Sequence, residues 1–234
     1  MRRGWIAVAW CVLAAAACGS PAQPLNSADA YHTFAAGIHS EGLRYKDAKL
    51  LVRDPASEDM LKRMLTEQGL LPSNRGTVWV LLGIIATPTA SQIVFDGIKS
   101  GGGTTLTADD ALARLDAVTG LGYAAYENAD PAPLNVLINC LQPTGWPSQV
   151  TWKLPEGEFP AQRLRARCIS ALGLSGRPAA HAELITLRTQ LFGVVVGPPQ
   201  NSEEALVLEA IKTNEFIAAH QPDGLLKYYA QYPQ

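Results

Sequence analysis

The chain reads as all-α, a short right-handed α-solenoid of stacked helix pairs, and three observations predict it. Apolar residues recur at i, i+3, i+4 and i+7 in one segment after another, the spacing of a single buried helix stripe. Proline preceded by Asp or Thr punctuates these segments, and such pairs start helices or break them. Leu82-Gly83, Leu121-Gly122 and Leu172-Gly173 are each followed by a proline, at Pro88, Pro131 and Pro178, so the helices fall into pairs with a common seam. At each seam the pattern predicts an apolar helix, a small-residue turn and a second apolar helix. A helix pair with one apolar face cannot bury it alone, so successive pairs must stack. An irregular α-helical bundle is the alternative that the same pattern allows.

The elements follow in order. Asp54-Pro55 opens a helix carrying Leu61, Met64, Leu65 and Gln68, which Gly69 ends. Val78, Leu81, Leu82 and Ile85 mark the next, broken at Thr87-Pro88, and another runs over 89–99 to the linker Gly101-Gly102-Gly103. Thr107 with Asp110 resembles a capping box and precedes Leu112, Leu115, Val118 and Leu121. Asp130-Pro131 starts a helix with Leu134, Leu137, Ile138 and Leu141 on one face. Leu164, Cys168, Ala171 and Leu172 mark the next, and Ala180, Leu184, Leu187 and Leu191 follow Pro178. Asn201 and Glu204 cap a last long helix, and Tyr228-Tyr229 sits in a short terminal one.

The start of the chain has another character. Arg2 and Arg3 precede an uncharged apolar run from Trp5 to Ala17, too short to cross a bilayer and followed by Gly, Ser and Pro. Residues 1–17 are therefore expected to be a removed export signal. The junction Ala15-Ala16-Ala17-Cys18 resembles the lipobox of bacterial lipoproteins, with Ala15 where a branched residue is usual. That resemblance implies a lipid on Cys18. An ordinary signal peptidase would cut the same bond at its Ala-x-Ala site, so both routes leave Cys18 first. Residues 18–26 read as a flexible tether and 27–234 as one helical domain. Gly19 beside the cysteine, in place of an aspartate, points to the outer membrane, with the protein facing the periplasm.

Composition excludes some partners. The formal charge is −2, and removing Arg2 and Arg3 makes it more negative, so the concentrated basic surface that nucleic acid requires is missing. Charged residues make up 17% and apolar ones 47%, enough to fill a core and leave an apolar surface besides. Cys140 and Cys168 remain as an even pair in an exported chain, either a disulfide or two buried thiols.

The stretch Ala166 to Pro178, with Ala171-Leu172-Gly173 at its centre, resembles a HEAT repeat, a two-helix unit. The resemblance spans roughly residues 55 to 192 and is strongest in this third unit. Between units two and three, 143–160 is an insertion rich in proline and aromatics, including Trp146, Trp152 and Phe159. Val150, Trp152 and Leu154 alternate with polar residues, which predicts a short extended segment. Its aromatics either fold back over a core gap between units two and three or offer a docking surface.

Catalytic patterns are incomplete. Gly173-Leu174-Ser175-Gly176-Arg177 lacks the final glycine and the preceding strand of a nucleophile elbow. Gly101-Gly102-Gly103 lacks the Gly-Lys-Ser/Thr of a phosphate loop, and His32 with His39 lacks a third metal ligand. The expectation is no enzyme, cofactor or metal. Arg163, Arg165, Arg167 and Arg177 form either a solvated face or a site for a partner's carboxylate or phosphate.

The function expected is a lipid-anchored envelope protein that binds another envelope protein or peptide. The alternatives are a structural subunit of a larger membrane complex and a lipoprotein hydrolase. If second helices line the concave side, as the HEAT resemblance implies, three polar stripes become neighbouring ridges: Gln92, Asp96 and Lys99; Asn135, Asn139 and Gln142; His181 and Arg188. Trp146 and Trp152 are the competing partner-binding candidates.

Overall fold

The computed structural model describes residues 45–66, 70–193 and 202–232. Residues 1–26, which include Cys18, and His32, His39, Gln68, Gly69 and Asn201 lie outside the described residues. Ten α-helices follow one another: α1 (Tyr45–Leu51), α2 (Ala56–Thr66), α3 (Pro72–Ile85), α4 (Pro88–Lys99), α5 (Ala108–Glu127), α6 (Ala132–Cys140), α7 (Ala161–Leu174), α8 (Pro178–Phe192), α9 (Ser202–Ala219) and α10 (Gly224–Gln231). Local chemistry sets their starts. Pro72, Pro88 and Pro178 each occupy a first helical position, where a missing N–H goes unneeded. Thr87 Oγ1 accepts from the Ala90 N–H at 3.0 Å, and Thr107 Oγ1 accepts from the Asp110 N–H at 3.2 Å.

Packing is sequential. α3, α5, α7 and α9 lie side by side as a row of first helices. Each second helix bridges two members of that row: α4 on α3 and α5, α6 on α5 and α7, α8 on α7 and α9. α10 packs on α9 and returns to α1, which rests on α3.

The Leu-Gly pairs explain how the row closes up, and they correct one expectation. Gly83, Gly122 and Gly173 lie inside α3, α5 and α7, not in the turns. A Cβ on Gly83 would stand 2.1 Å from the Gly120 oxygen; on Gly122 and Gly173 it would stand 2.8 and 2.9 Å from the oxygens of Ala171 and Ala210. Two small residues spaced i, i+2 thus serve each inner helix, one facing the previous neighbour and one the next: Gly120 and Gly122 on α5, Ala171 and Gly173 on α7. The turns after the first helices are stitched separately. Asn128 Nδ2 donates to Ala86 O at 2.7 Å, and Arg177 Nη2 donates to Asn128 O at 2.8 Å.

The insertion folds inward, with its turn at 146–149 packed on α6 and α7, between units two and three as one expectation had it, and it reaches α4 as well. Trp146 packs edge-on against Phe95 of α4 with ring centroids 5.5 Å apart, and its Nε1 donates to Val136 O of α6 at 3.0 Å. Trp152 is fully buried and donates to Ile98 O of α4 at 2.8 Å. The segment therefore packs on α4, α6 and α7, the second helices of the first two pairs and the first helix of the third. Val150, Trp152 and Leu154 are buried while Thr151 is exposed and Lys153 half-buried, the alternation of an extended strand. Lys153 bridges in parallel to Thr105, with Lys153 N–H to Thr104 O at 2.8 Å and Leu106 N–H to Lys153 O at 2.9 Å. Cys140 and Cys168 form a disulfide that ties α6 to α7, with Cα atoms 6.4 Å apart.

Candidate functional site

The first-helix row has two faces. One packs on α4, α6 and α8; the other lines a cavity of about 490 Å³. Each first helix contributes a stripe at helical spacing: Thr77, Val80 and Ile84 from α3; Leu112, Asp116, Thr119 and Tyr123 from α5; Arg167, Ser170 and Leu174 from α7; Leu206, Glu209, Ala210 and Thr213 from α9. α1 and α10 close one end with Tyr45, Ala48, Tyr228 and Tyr229.

That end is a wall of phenols. Tyr45 lies 5.2 Å from Tyr123 and 5.8 Å from Tyr229 between ring centroids, and the hydroxyls of Tyr123 and Tyr229 are 2.6 Å apart. The Tyr45 hydroxyl donates to Glu127 at the C-terminus of α5, whose carboxylate also receives Lys49 at 2.8 Å. Burial, then the nearby Glu127 carboxylate, pushes the Tyr45 phenol far above its ordinary pKa. Tyr45 is thereby held protonated and hydrogen-bonded, which suits a packed face.

Elsewhere the lining mixes apolar side chains with short hydroxyls. Leu112 is 38% exposed at the rim, Val80, Leu174 and Leu206 are half-buried, and Ile84 is buried. Arg167 and Glu209 are exposed. A cavity of this size, mostly apolar with a few placed polar groups, has the makeup of a ligand or peptide site.

The second-helix stripes lie elsewhere, and none of their residues lines this cavity. Gln92 Nε2 donates to Asp96 at 2.9 Å, and Lys99 sits 3.9 Å from Asp96 and 4.1 Å over the Phe95 ring. Asn135 and Gln142 are exposed, whereas Asn139 Oδ1 accepts from the Trp146 N–H at 3.0 Å and so anchors the insertion. His181 contacts Glu215 of α9 at 3.0 Å, and Arg188 is half-buried on α8. The insertion stands between the Asp96 and Asn139 stripes, and the rings of Trp146 and Trp152 face the interior.

The arginines do not gather into one cluster. Arg163 lies 3.9 Å from Glu156, Arg165 lies 3.7 Å from Glu203, Arg177 joins the turn ladder, and Arg167 alone faces the cavity. The Ser175 hydroxyl is buried and donates to Leu172 O at 2.7 Å, a helix-end contact with no open side for a substrate. Among the described residues no three His, Cys, Asp or Glu side chains group to hold a metal ion. Among them, too, no helix is long and apolar enough to cross a membrane.

Sequence reasoning missed the cavity because it read one stripe per helix. α5 carries a second, Leu112, Asp116, Thr119 and Tyr123, beside the core stripe. A helix buried nearly all round, as α5 is, has neighbours on every side. No family model matches this chain, and neither a curated protein nor a solved structure matches it.

Proposed function

We propose that this is a lipid-anchored envelope protein, probing the periplasm from the outer membrane, that holds a segment of another envelope polypeptide in the groove across α3, α5, α7 and α9. The observation that carries the reading is the cavity itself. Four neighbouring helices turn a half-apolar face toward it, with no further layer over it among the described residues, and exposed apolar area of that kind marks a binding surface. The lining favours a polypeptide ligand: apolar pockets for side chains, hydroxyls of Thr119 and Ser170 for main-chain groups, and charges of both signs. Stacked helix pairs in the manner of a short solenoid would present such a face as a continuous surface. The lipid on Cys18 and the tether up to residue 26 would hold that surface near the membrane.

The test is capture of stoichiometric partners from mildly solubilised envelopes, identified by mass spectrometry, with wild-type protein and with Leu112→Glu and Thr119→Arg. The groove variants lose a partner that the wild type retains, with unchanged far-UV spectra. Equal capture by all three proteins overturns the reading.

A further inference from the structure

We infer that the tyrosine-walled end of the groove holds an arginine side chain of the partner segment, between the Glu209 carboxylate and the Tyr228 ring. The inference rests on the groove being the binding face proposed above, and it names the group that the partner must bring. The electrostatics of that end come first. Gly76 faces Ala113 and Gly83 faces Gly120, so residue numbers rise together across α3 and α5; the same holds from α5 to α7 and from α7 to α9. The row is therefore parallel. α3, α5 and α7 bring their C-termini, the negative ends of their dipoles, to the side where Ile84, Tyr123 and Leu174 line the cavity. Glu209 adds a carboxylate there. It is exposed and stands one helical turn before Thr213, whose hydroxyl lies 3.5 Å from that of Tyr228.

The fold's own cations do not meet this charge. Lys49 pairs with Glu127, Arg177 donates to Asn128 O, and neither lines the cavity. Among the described residues Arg167 is the one basic side chain that does, and it stands about two turns before Leu174, toward the other end. The molecule also shows how it holds a cation. Lys49 sits 5.9 Å over the Tyr45 ring and on Glu127, and Arg114 lies 5.8 Å over the Trp152 ring and 3.8 Å from Asp110. Each is a positive group between a carboxylate and an aromatic ring. Glu209 and the half-buried Tyr228 offer the same pair of groups to a cation from outside. Arginine suits it best, since a planar guanidinium can meet a carboxylate with two hydrogen bonds and stack on a ring. The apolar lining seats the segment, and the arginine fixes its register against the wall.

The experiment is calorimetric titration of the full mature chain with capped pentapeptides, acetyl-Leu-Ala-X-Ala-Leu-amide, in which X is arginine, citrulline or glutamate. An uncapped Leu-Ala-Gln-Ala-Leu-amide tests a chain terminus as the source of the cation. The arginine peptide is expected to bind about fivefold more tightly than its citrulline isostere, which has the same shape without the charge. That advantage disappears in Glu209→Gln and falls to about twofold in Tyr228→Leu. It persists in Glu215→Gln, on the same helix but outside the cavity, and all three variants keep the far-UV spectrum. Equal binding of arginine and citrulline peptides, no binding of either, or an advantage retained in Glu209→Gln overturns the inference. So does preference for the glutamate peptide, which would put an acidic segment on Arg167, or for the uncapped peptide. Should Leu112→Glu abolish partner capture while the peptides show no arginine preference, this inference fails and the functional reading stands. Should Glu209→Gln remove the preference while Leu112→Glu leaves capture intact, the functional reading fails and the arginine site stands.

Discussion

Gly83 of α3 and Gly120 of α5 meet backbone to backbone, with room for no side-chain atom between them: a Cβ on Gly83 would lie 2.1 Å from the Gly120 oxygen and 2.6 Å from its Cα. The obstacle is main chain, so nothing can rotate aside, and Gly83→Ala must push the two helices apart. Overpacking costs about 1–3 kcal/mol, occasionally more, against about 1 kcal/mol gained in helix propensity. With main chain as the obstacle, Gly83→Ala is expected to lose a net of up to about 2 kcal/mol in urea unfolding. Gly122→Ala and Gly173→Ala, with contacts at 2.8 and 2.9 Å, should lose less. Equal stability of Gly83→Ala and wild type would show that the row tolerates separation.

These contacts show what the sequence made legible. The all-helical class and the order of α2 to α10 followed from stripes such as Leu134, Leu137, Ile138 and Leu141, because a period of 3.6 is written locally, whereas α1 was not read. The Leu-Gly pairs were also visible, but their position was misassigned. A glycine followed by a proline looks like a turn, and only the neighbouring helix shows that Gly83 and Gly122 serve close approach. The contacts of Trp146 and Trp152 with α4 were illegible for a related reason: Phe95 and Ile98 lie far back in the chain, and no local pattern names them as partners. The groove depends on how α1 and α10, the two ends of the described chain, meet at Tyr45 and Tyr229.

The Cys140–Cys168 bridge joins residues 28 apart in sequence. In the chain-entropy model a loop of that size contributes about 3–4 kcal/mol. Reduction, or the double change Cys140→Ala with Cys168→Ala, should lower the unfolding free energy by about that much in denaturant. A midpoint that does not respond to reductant would remove the disulfide from the protein's stability.

Trp152 fastens the insertion. Its Nε1 bond to Ile98 O closes the end of α4, and the Arg114 guanidinium lies 5.8 Å over its ring. Trp152→Ala should cost about 3–5 kcal/mol. Trp152→Phe keeps most of the ring but leaves the Ile98 carbonyl unpaired, for about 1–3 kcal/mol. Hydrogen exchange localises the effect. The Leu106 and Lys153 amides, paired across the parallel bridge, should lose protection in Trp152→Phe while α7 and α9 keep theirs.

Tyr45 predicts how the protein responds to alkali. Burial and Glu127 hold its folded pKa above the ordinary value of 10.0. A raised folded pKa contributes stability that is present below the unfolded pKa and lost as pH climbs from about 10 toward the folded value. Unfolding free energy should therefore fall above pH 10 with a contribution of up to about 1.4 kcal/mol per pH unit from this group. Tyr45→Phe flattens that decline, although it gives up the Glu127 hydrogen bond at neutral pH. A decline of identical slope in both proteins would mean that Tyr45 ionises freely in the fold.

The last prediction separates the groove from the second-helix stripes as the binding face. Asn139 is a poor probe, since it holds the Trp146 amide, and Arg188 has its own interactions. Lys99, Asn135 and Gln142 are exposed and can be changed without disturbing the core. Lys99→Glu, Asn135→Arg and Gln142→Arg, combined in one protein, alter the charge of the α4 and α6 stripes while leaving every cavity residue in place. Partner capture should persist in this triple variant within about twofold of wild type, as expected for surface changes outside an interface, and should fall in Leu112→Glu. The reverse pattern, capture lost in the triple variant and retained in Leu112→Glu, places recognition on the ridge formed by the second helices.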